Sequence, residues 1–188
     1  RLLYTLHCAP CYKSTVLPQY DDVIRHTLKA ILNVDLTDAI WKQASLPVSS
    51  GGLGVRLATG LALPAFLSSV NGASELTLQL LPSRLHTSAG IHDPVCVSAC
   101  LEWQTRCNTA VPDSVKAGVQ KTWDAPVVSL KFMELLSAAQ NQAGRARLIA
   151  AAAPYSGDFL HAIPCSSVGT RLDDASLRIA VSLHLEIG

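Results

Sequence analysis

The sequence predicts an all-α fold, an irregular multi-helix bundle with short loops and one glycine-rich turn. Three observations predict it. Apolar residues recur at helical spacing almost throughout. Capping residues and prolines mark most of the expected helix ends. The chain is 49% apolar over 188 residues, enough to build a real core.

The elements follow in order. Residues 18–33 place Tyr20, Val23, Ile24, Leu28, Ile31 and Leu32 on one face, and Asn33 is the expected stop. Asp21 and Arg25 lie four residues apart on the other face, acid first. Thr37 is the expected cap of a short helix through Trp41 to Ala44, ended by Pro47. Pro47, Gly51, Gly52 and Gly54 form the structural turn, since glycine serves where φ is positive or the backbone passes close to another element. A helix over 56–70 follows, with Pro64 as a kink or restart and an exit loop through Asn71 and Gly72.

Asp93-Pro94 is a helix start, a cap followed by proline at the first helical position. Asp113 and Asp124 are expected to open two more helices, the second with Pro126 in its first turn. An Ala-rich helix over 141–153 stops at Pro154, and 155–163 is a short helix or turn. A brief extended stretch is expected at 167–172. Asp173 caps a last helix, 174–187, with Leu177, Ala180, Val181 and His184 on one face and Ile179, Leu183 and Ile187 on another. A helix apolar on two faces is buried or covered by a partner. The segment 83–92 is the weakest join, which divides the chain into regions 1–82 and 83–188.

Charge and motifs narrow the function. The net charge is +1, which argues against a strong autonomous nucleic-acid binder but leaves room for a local patch. Charged residues make up only 15%, so part of the surface is expected to be uncharged or covered. The chain begins at Arg1 and its one methionine is Met133, so a fragment or processed product is expected. No signal peptide is evident, and the uncharged run from Leu57 to Ser74 is shorter than a membrane span. Reduced thiols inside the cell, in nucleus or cytoplasm, are expected.

Cys8-Ala9-Pro10-Cys11 is a CxxC, but a zinc site needs two more ligands. Cys96, Cys100 and Cys107 share one helical face with Trp103, the pattern of small core residues. No metal and no cofactor are therefore assigned. Tyr20-Asp21-Asp22 lacks a tyrosine two residues before Asp21 and sits in a helical pattern, so it reads as an acidic first turn. Gly51-Gly52-Leu53-Gly54 has neither the preceding strand nor the Lys-Ser/Thr of a phosphate loop. The six histidines are scattered, with His161 and His184 at positions expected to be partly buried. Arg145 and Arg147, downstream of Lys116, Lys121 and Lys131, are the basic concentration of the second half.

Several stretches carry a resemblance. They are Arg1 to Leu6, Gln19-Tyr20-Asp21-Asp22, Trp41-Lys42-Gln43-Ala44-Ser45-Leu46-Pro47-Val48, Gly51 to Arg56 and Pro64 to Ser69. Later come Ala146-Arg147-Leu148, Ser156 to Leu160 with Ile163-Pro164, and Leu172-Asp173-Asp174 running into Leu177 to Val181. This pattern resembles the segment just downstream of the reverse-transcriptase domain in non-LTR retrotransposon polyproteins of the restriction-like-endonuclease type. It is most specific over 39–69 and weakest over 75–140. The resemblance implies thumb helices over 1–82 and a helical linker over 83–188. It implies a reverse-transcriptase palm upstream and a zinc knuckle and endonuclease downstream in the same polyprotein. The chain would then contact template RNA or target DNA without catalytic residues of its own. Lys42, Gln43 and Arg56 near the turn, with Arg145 and Arg147, are the expected nucleic-acid contacts. Many copies of such elements are decayed, so a remnant without activity fits too. The rival readings are a helical protein-interaction module and a small-molecule enzyme, the latter disfavoured for want of convergent polar groups.

Overall fold

A computed structural model describes residues 2–185. Among them the fold is all-α, with eight α-helices, short 3-10 turns and no strand. The helices are α1 (Leu2–Cys8), α2 (Val16–Leu32), α3 (Asp38–Ala44), α4 (Ala58–Leu80), α5 (Pro94–Cys107), α6 (Gln120–Ala138), α7 (Gln142–Ala151) and α8 (Asp174–Leu185). None is long and apolar enough to cross a membrane.

Several expected ends are built by the expected residues. Asn33 closes α2 at φ 56°, in the left-handed region that asparagine tolerates. The Thr37 hydroxyl accepts from Ile40 N, Asp93 accepts from Val95 N with Pro94 leading α5, and Asp173 accepts from Ser176 N. Each satisfies a backbone donor that the first helical turn leaves unpaired. Arg1, Glu186, Ile187 and Gly188 lie outside the described residues, and so do the expected Arg1 start of the first helix and the Ile187 position on α8.

Five expectations are corrected. Helix α4 continues to Leu80 rather than ending near residue 70, and Pro64 lies inside it. The carbonyl a proline ring crowds, four residues back, belongs here to Gly60, and Asn71 donates to Leu67 O instead of opening a loop. Gly72 faces Gly118 so closely that a Cβ on Gly118 would lie 3.0 Å from the Gly72 Cα. Asp113 opens only an isolated turn, and Asp124 lies within α6, which starts at Gln120. Burial of Trp123 (0% exposed) and Asp124 (8% exposed) holds the chain helical where a cap was expected. Residues 166–168 form a 3-10 turn closed by Gly169 at φ 73°, not an extended stretch. His161 is exposed, while His184 is half-buried.

The chain forms two compact units, each made of two separated segments. The first combines 1–21 with 57–130, and the second combines 22–56 with 131–188. The expected join at 83–92 is wound into 3-10 turns within the first unit, so the regions 1–82 and 83–188 do not coincide with these units.

The first unit is organised around two tryptophans. Trp103 from α5 and Trp123 from α6 meet edge to face, with centroids 4.9 Å apart. Each indole is satisfied, Trp103 Nε1 donating to Trp123 O at 2.9 Å and Trp123 Nε1 to Ala117 O at 2.6 Å. Phe66 and Leu67 of α4 pack on the same cluster, with Cys96 and Cys107 of α5. These cysteines are core residues, as their spacing suggests. A second cluster joins Leu6, Leu17, Ala58, Ala62 and Ala65. The small residues of α4 let α1 approach closely.

Asp21 is not in a first turn, for it is the sixth residue of α2, and it is buried at 7% exposure. Its carboxylate accepts from Ala58 N at 2.7 Å, Thr59 N at 3.1 Å and Thr59 Oγ1 at 2.6 Å. It thus caps α4, whose own N-cap, Leu57, offers no side-chain acceptor. Asp21→Ala is expected to lower stability by about 2–4 kcal/mol, because it orphans three donors at a buried helix start. Asp21→Asn, which keeps an acceptor, should lose clearly less. Urea denaturation of both variants checks the order, and equal losses would show that one amide oxygen cannot stand in for the two accepting oxygens of the carboxylate.

Candidate nucleic-acid interface

The glycine-rich joint belongs to the second unit. Beyond α3 the chain folds back on that helix. Leu53 N and Val55 N both donate to Ala44 O, at 3.1 and 3.3 Å, and Gly54 N donates to Leu46 O at 2.9 Å. Gly51 and Gly54 take φ of 80° and 74°, where a Cβ is strained. Gly52 is required for another reason, since a Cβ there would sit 2.1 Å from Leu46 O and 2.6 Å from Gln43 O. Pro47 O accepts from Ser50 N and Gly52 N, which closes the turn. All four expected turn residues therefore take part in the joint.

Later residues of the same unit complete it. A Cβ on Gly51 would lie 3.1 Å from the backbone at Ala151 and Ala152, so α7 passes directly over the turn. A Cβ on Gly157 would lie 2.3 Å from Val48 Cγ1. Gln43 ties the joint to α8. Its Nε2 donates to Gly51 O at 3.0 Å and to His184 O at 3.2 Å. Because both partners are carbonyls, the amide orientation is decided by chemistry, with the nitrogen toward them. The His184 ring meets Phe159 edge to face at 5.8 Å.

The expected contact residues are all in this unit but do not form one surface. Gln43 is only 6% exposed and is spent on the fold, a structural role that its position beside Lys42 hid. Lys42 Nζ pairs with Glu134 Oε2 at 2.8 Å, both side chains remaining partly exposed. Such a pair is weak and exchangeable, contributing about 0–1 kcal/mol. Arg56 is half-buried and engaged in an interaction of its own. Arg145 and Arg147 are exposed on α7. At 100° per residue they flank Gly144 and Leu148 on opposite sides of the helix. Arg147 Nη2 reaches Leu183 O on α8 at 3.3 Å.

Other cations of the unit are interleaved with acids. Arg25 pairs with Asp38 at 2.8 Å and donates to Leu36 O at 2.6 Å, and Lys29 pairs with Asp35 at 2.5 Å. The Lys29 ammonium holds the Asp35 carboxyl below its ordinary range. The pattern is a mixed-charge surface on which Arg145 and Arg147 are exposed, Lys42 and Arg56 half-buried and Gln43 buried.

Among the described residues, no three His, Cys, Asp or Glu side chains come together as a metal site. Burial pushes the Cys96 thiol up to about 11, with Asp93 and Cys100 adding to it, and raises Cys100 and Cys107 as well. Cys165 moves the other way. The Ser167 hydroxyl, 3.0 Å from its sulfur, and the backbone N–H groups of Ser167 and Val168 lower its pKa. Cys165 is thus the thiol whose surroundings most favour the thiolate, a point invisible in cysteine spacing.

No family model matches this chain, and no curated protein or solved structure is significantly similar to it.

Proposed function

We propose that this chain is the non-catalytic thumb-and-linker segment of a non-LTR retrotransposon reverse-transcriptase polyprotein. In this reading it acts inside the cell, in nucleus or cytoplasm, as a helical scaffold beside a palm upstream and a zinc knuckle and endonuclease downstream. It touches template RNA or target DNA through Lys42, Arg145 and Arg147, while Gln43 and the glycines hold the joint and Arg56 flanks it. One observation carries the proposal. Stretches of the resemblance about a hundred residues apart in sequence meet at Val48 and Gly157, where a Cβ on Gly157 would lie 2.3 Å from Val48 Cγ1. The weakly resembling 75–140 region falls mostly in the other unit.

The test is fluorescence anisotropy with a labelled RNA–DNA duplex between about 50 and 200 mM salt. Binding should weaken log-linearly with salt, and Arg145→Ala with Arg147→Ala should flatten that slope by about two units. Salt-independent binding, or an unchanged slope in the double variant, removes the nucleic-acid contact from the proposal.

A second reading, a helical protein-interaction module, has its own observation. Helix α8 buries Val181 and Leu185 but leaves Ile179 and Leu183 61% and 69% exposed on its outer face. A chain that binds no nucleic acid at any salt favours this reading.

A further inference from the structure

Among the described residues, three other than glycine take positive φ, namely Asn33, Asn108 and Tyr155. The two asparagines close α2 and α5, and asparagine tolerates this region. Tyr155 stands at φ 70° in a turn beyond α7. Ser156 N donates to Ala153 O at 3.2 Å, so Pro154 and Tyr155 are the two central residues. Positive φ at the second of them, after a proline, is the type II pattern, which calls for glycine or asparagine there. A bulky side chain in this region costs free energy that packing could offset. The Tyr155 side chain recovers little, since the residue is 85% exposed.

The turn is held by its neighbours. The Ser156 hydroxyl donates to Ala151 O and Ala153 O, closing the end of α7. Gly157 is buried, and its close approach to Val48 seats the turn on the glycine joint. Asp158 N donates to Tyr155 O at 3.2 Å. The backbone is thus fixed on both sides of a ring that stands in water.

The chain leading to this ring carries charge of one sign. Between Glu134 and Asp158 it has Arg145 and Arg147 and no acid. Both arginines are exposed on α7, and Arg147 precedes the last residue of that helix, Ala151, by about one turn, roughly 6 Å along the axis. They lie on opposite sides of the helix, so a strand running from the ring along either side meets one of them.

We propose that Tyr155 is a stacking platform for an unpaired base of RNA or DNA, while an exposed arginine of α7 takes an adjoining phosphate. The proposal rests on the nucleic-acid reading above and adds a single-stranded component to it. An exposed aromatic ring offers a π-face to any base, and cations beside it follow the backbone. A ring whose backbone is already fixed loses little freedom on binding. Inside a duplex both faces of a base are covered by its neighbours, so the site selects single strands and unpaired ends, without a sequence code.

The experiment is fluorescence anisotropy of the intact chain with a labelled single-stranded oligoadenylate, as RNA and as DNA, beside the paired duplex. Tyr155→Asn should weaken single-strand binding about five-fold to a hundred-fold, the range for one stacked base, with the duplex Kd and the salt slopes unchanged. Tyr155→Trp keeps a π-face and should bind single strands at least as well as the unmodified chain. Because asparagine suits positive φ, urea denaturation should place Tyr155→Asn at an equal or higher midpoint, whereas a residue kept for the fold would move it down. Single-strand binding unchanged in Tyr155→Asn, or lost equally in Tyr155→Trp, overturns the proposal, and so does a lowered midpoint. A flattened salt slope in Arg145→Ala with Arg147→Ala, beside unchanged binding in Tyr155→Asn, would sink the stacking and leave the nucleic-acid reading standing. An unmodified chain that binds neither single strand nor duplex removes both.

Discussion

Gly52→Ala is expected to lower stability by about 3 kcal/mol or more. Overpacking usually costs about 1–3 kcal/mol, because neighbouring side chains can shift. Here the obstacle is backbone. The added Cβ would meet Leu46 O at 2.1 Å and Gln43 O at 2.6 Å, so α3 and the returning chain must separate. That separation removes the bonds from Leu53 N and Val55 N to Ala44 O and disturbs Gly51 O, to which Gln43 is tied. Gly54→Ala is the control. Gly54 has φ of 74° but its nearest neighbour, Val48 Cγ2, is 3.4 Å away. Its cost should therefore be the left-handed backbone term alone, about 1–2 kcal/mol. Denaturation midpoints at unchanged m-value measure both. Gly54→Ala proving the worse of the two would refute the steric account of the joint.

Trp103→Ala should cost about 3–5 kcal/mol, the range for emptying a large aromatic site. Trp103 is 1% exposed, contacts Trp123 edge to face, and donates to Trp123 O. The substitution opens a cavity beside Phe66, Cys96 and Cys107 and also removes a buried donor. Trp103→Phe keeps a ring and loses the indole N–H, so it separates the two effects, with a cost nearer 1–2 kcal/mol. Against a total stability of about 5–15 kcal/mol, the alanine variant would stand near the edge of folding. Thermal unfolding followed at the remaining tryptophans gives the comparison. A phenylalanine variant as unstable as alanine would assign the whole effect to the hydrogen bond.

Which polar side chains stay on the surface and which serve the fold was the least legible feature in the sequence. Lys42 and Gln43 are adjacent and equally polar on paper. In the fold, Lys42 stays on the surface beside Glu134, while Gln43 turns inward to hold two carbonyls. Arg145 and Arg147 look like a cluster in sequence, yet two residues on a helix turn by about 200° and part company. Asp21 is the converse case. Its spacing suggests an acid of a first helical turn, but its task is to cap a helix that starts 37 residues later. The reasons are shared. A polar side chain is assigned by which unpaired donor or acceptor it meets, and those partners come from distant chain.

Local signals fared according to how local they are. Thr37, Asp93, Asn33 and Asp173 act within a few residues of themselves, and each does what its type implies. Asp113 and Asp124 carry the same letter without the same result: Asp113 accepts from Lys116 N but opens only an isolated turn, and at Asp124 a cap would need a non-helical residue before the helix. At Asp124 the burial of Trp123 and the start of α6 at Gln120 remove that condition. Pro64 and Pro126 likewise sit inside helices whose packing outweighs one missing hydrogen bond each. Helical periodicity, 49% apolar content and the capping residues alone determined the all-α class and several helix ends, since they act through backbone geometry within a turn or two. Only the tertiary structure decided that two units interleave along the chain and that Asp21 and Gln43 serve the fold. Burial and hydrogen-bond satisfaction depend on what distant segments bring to the same point.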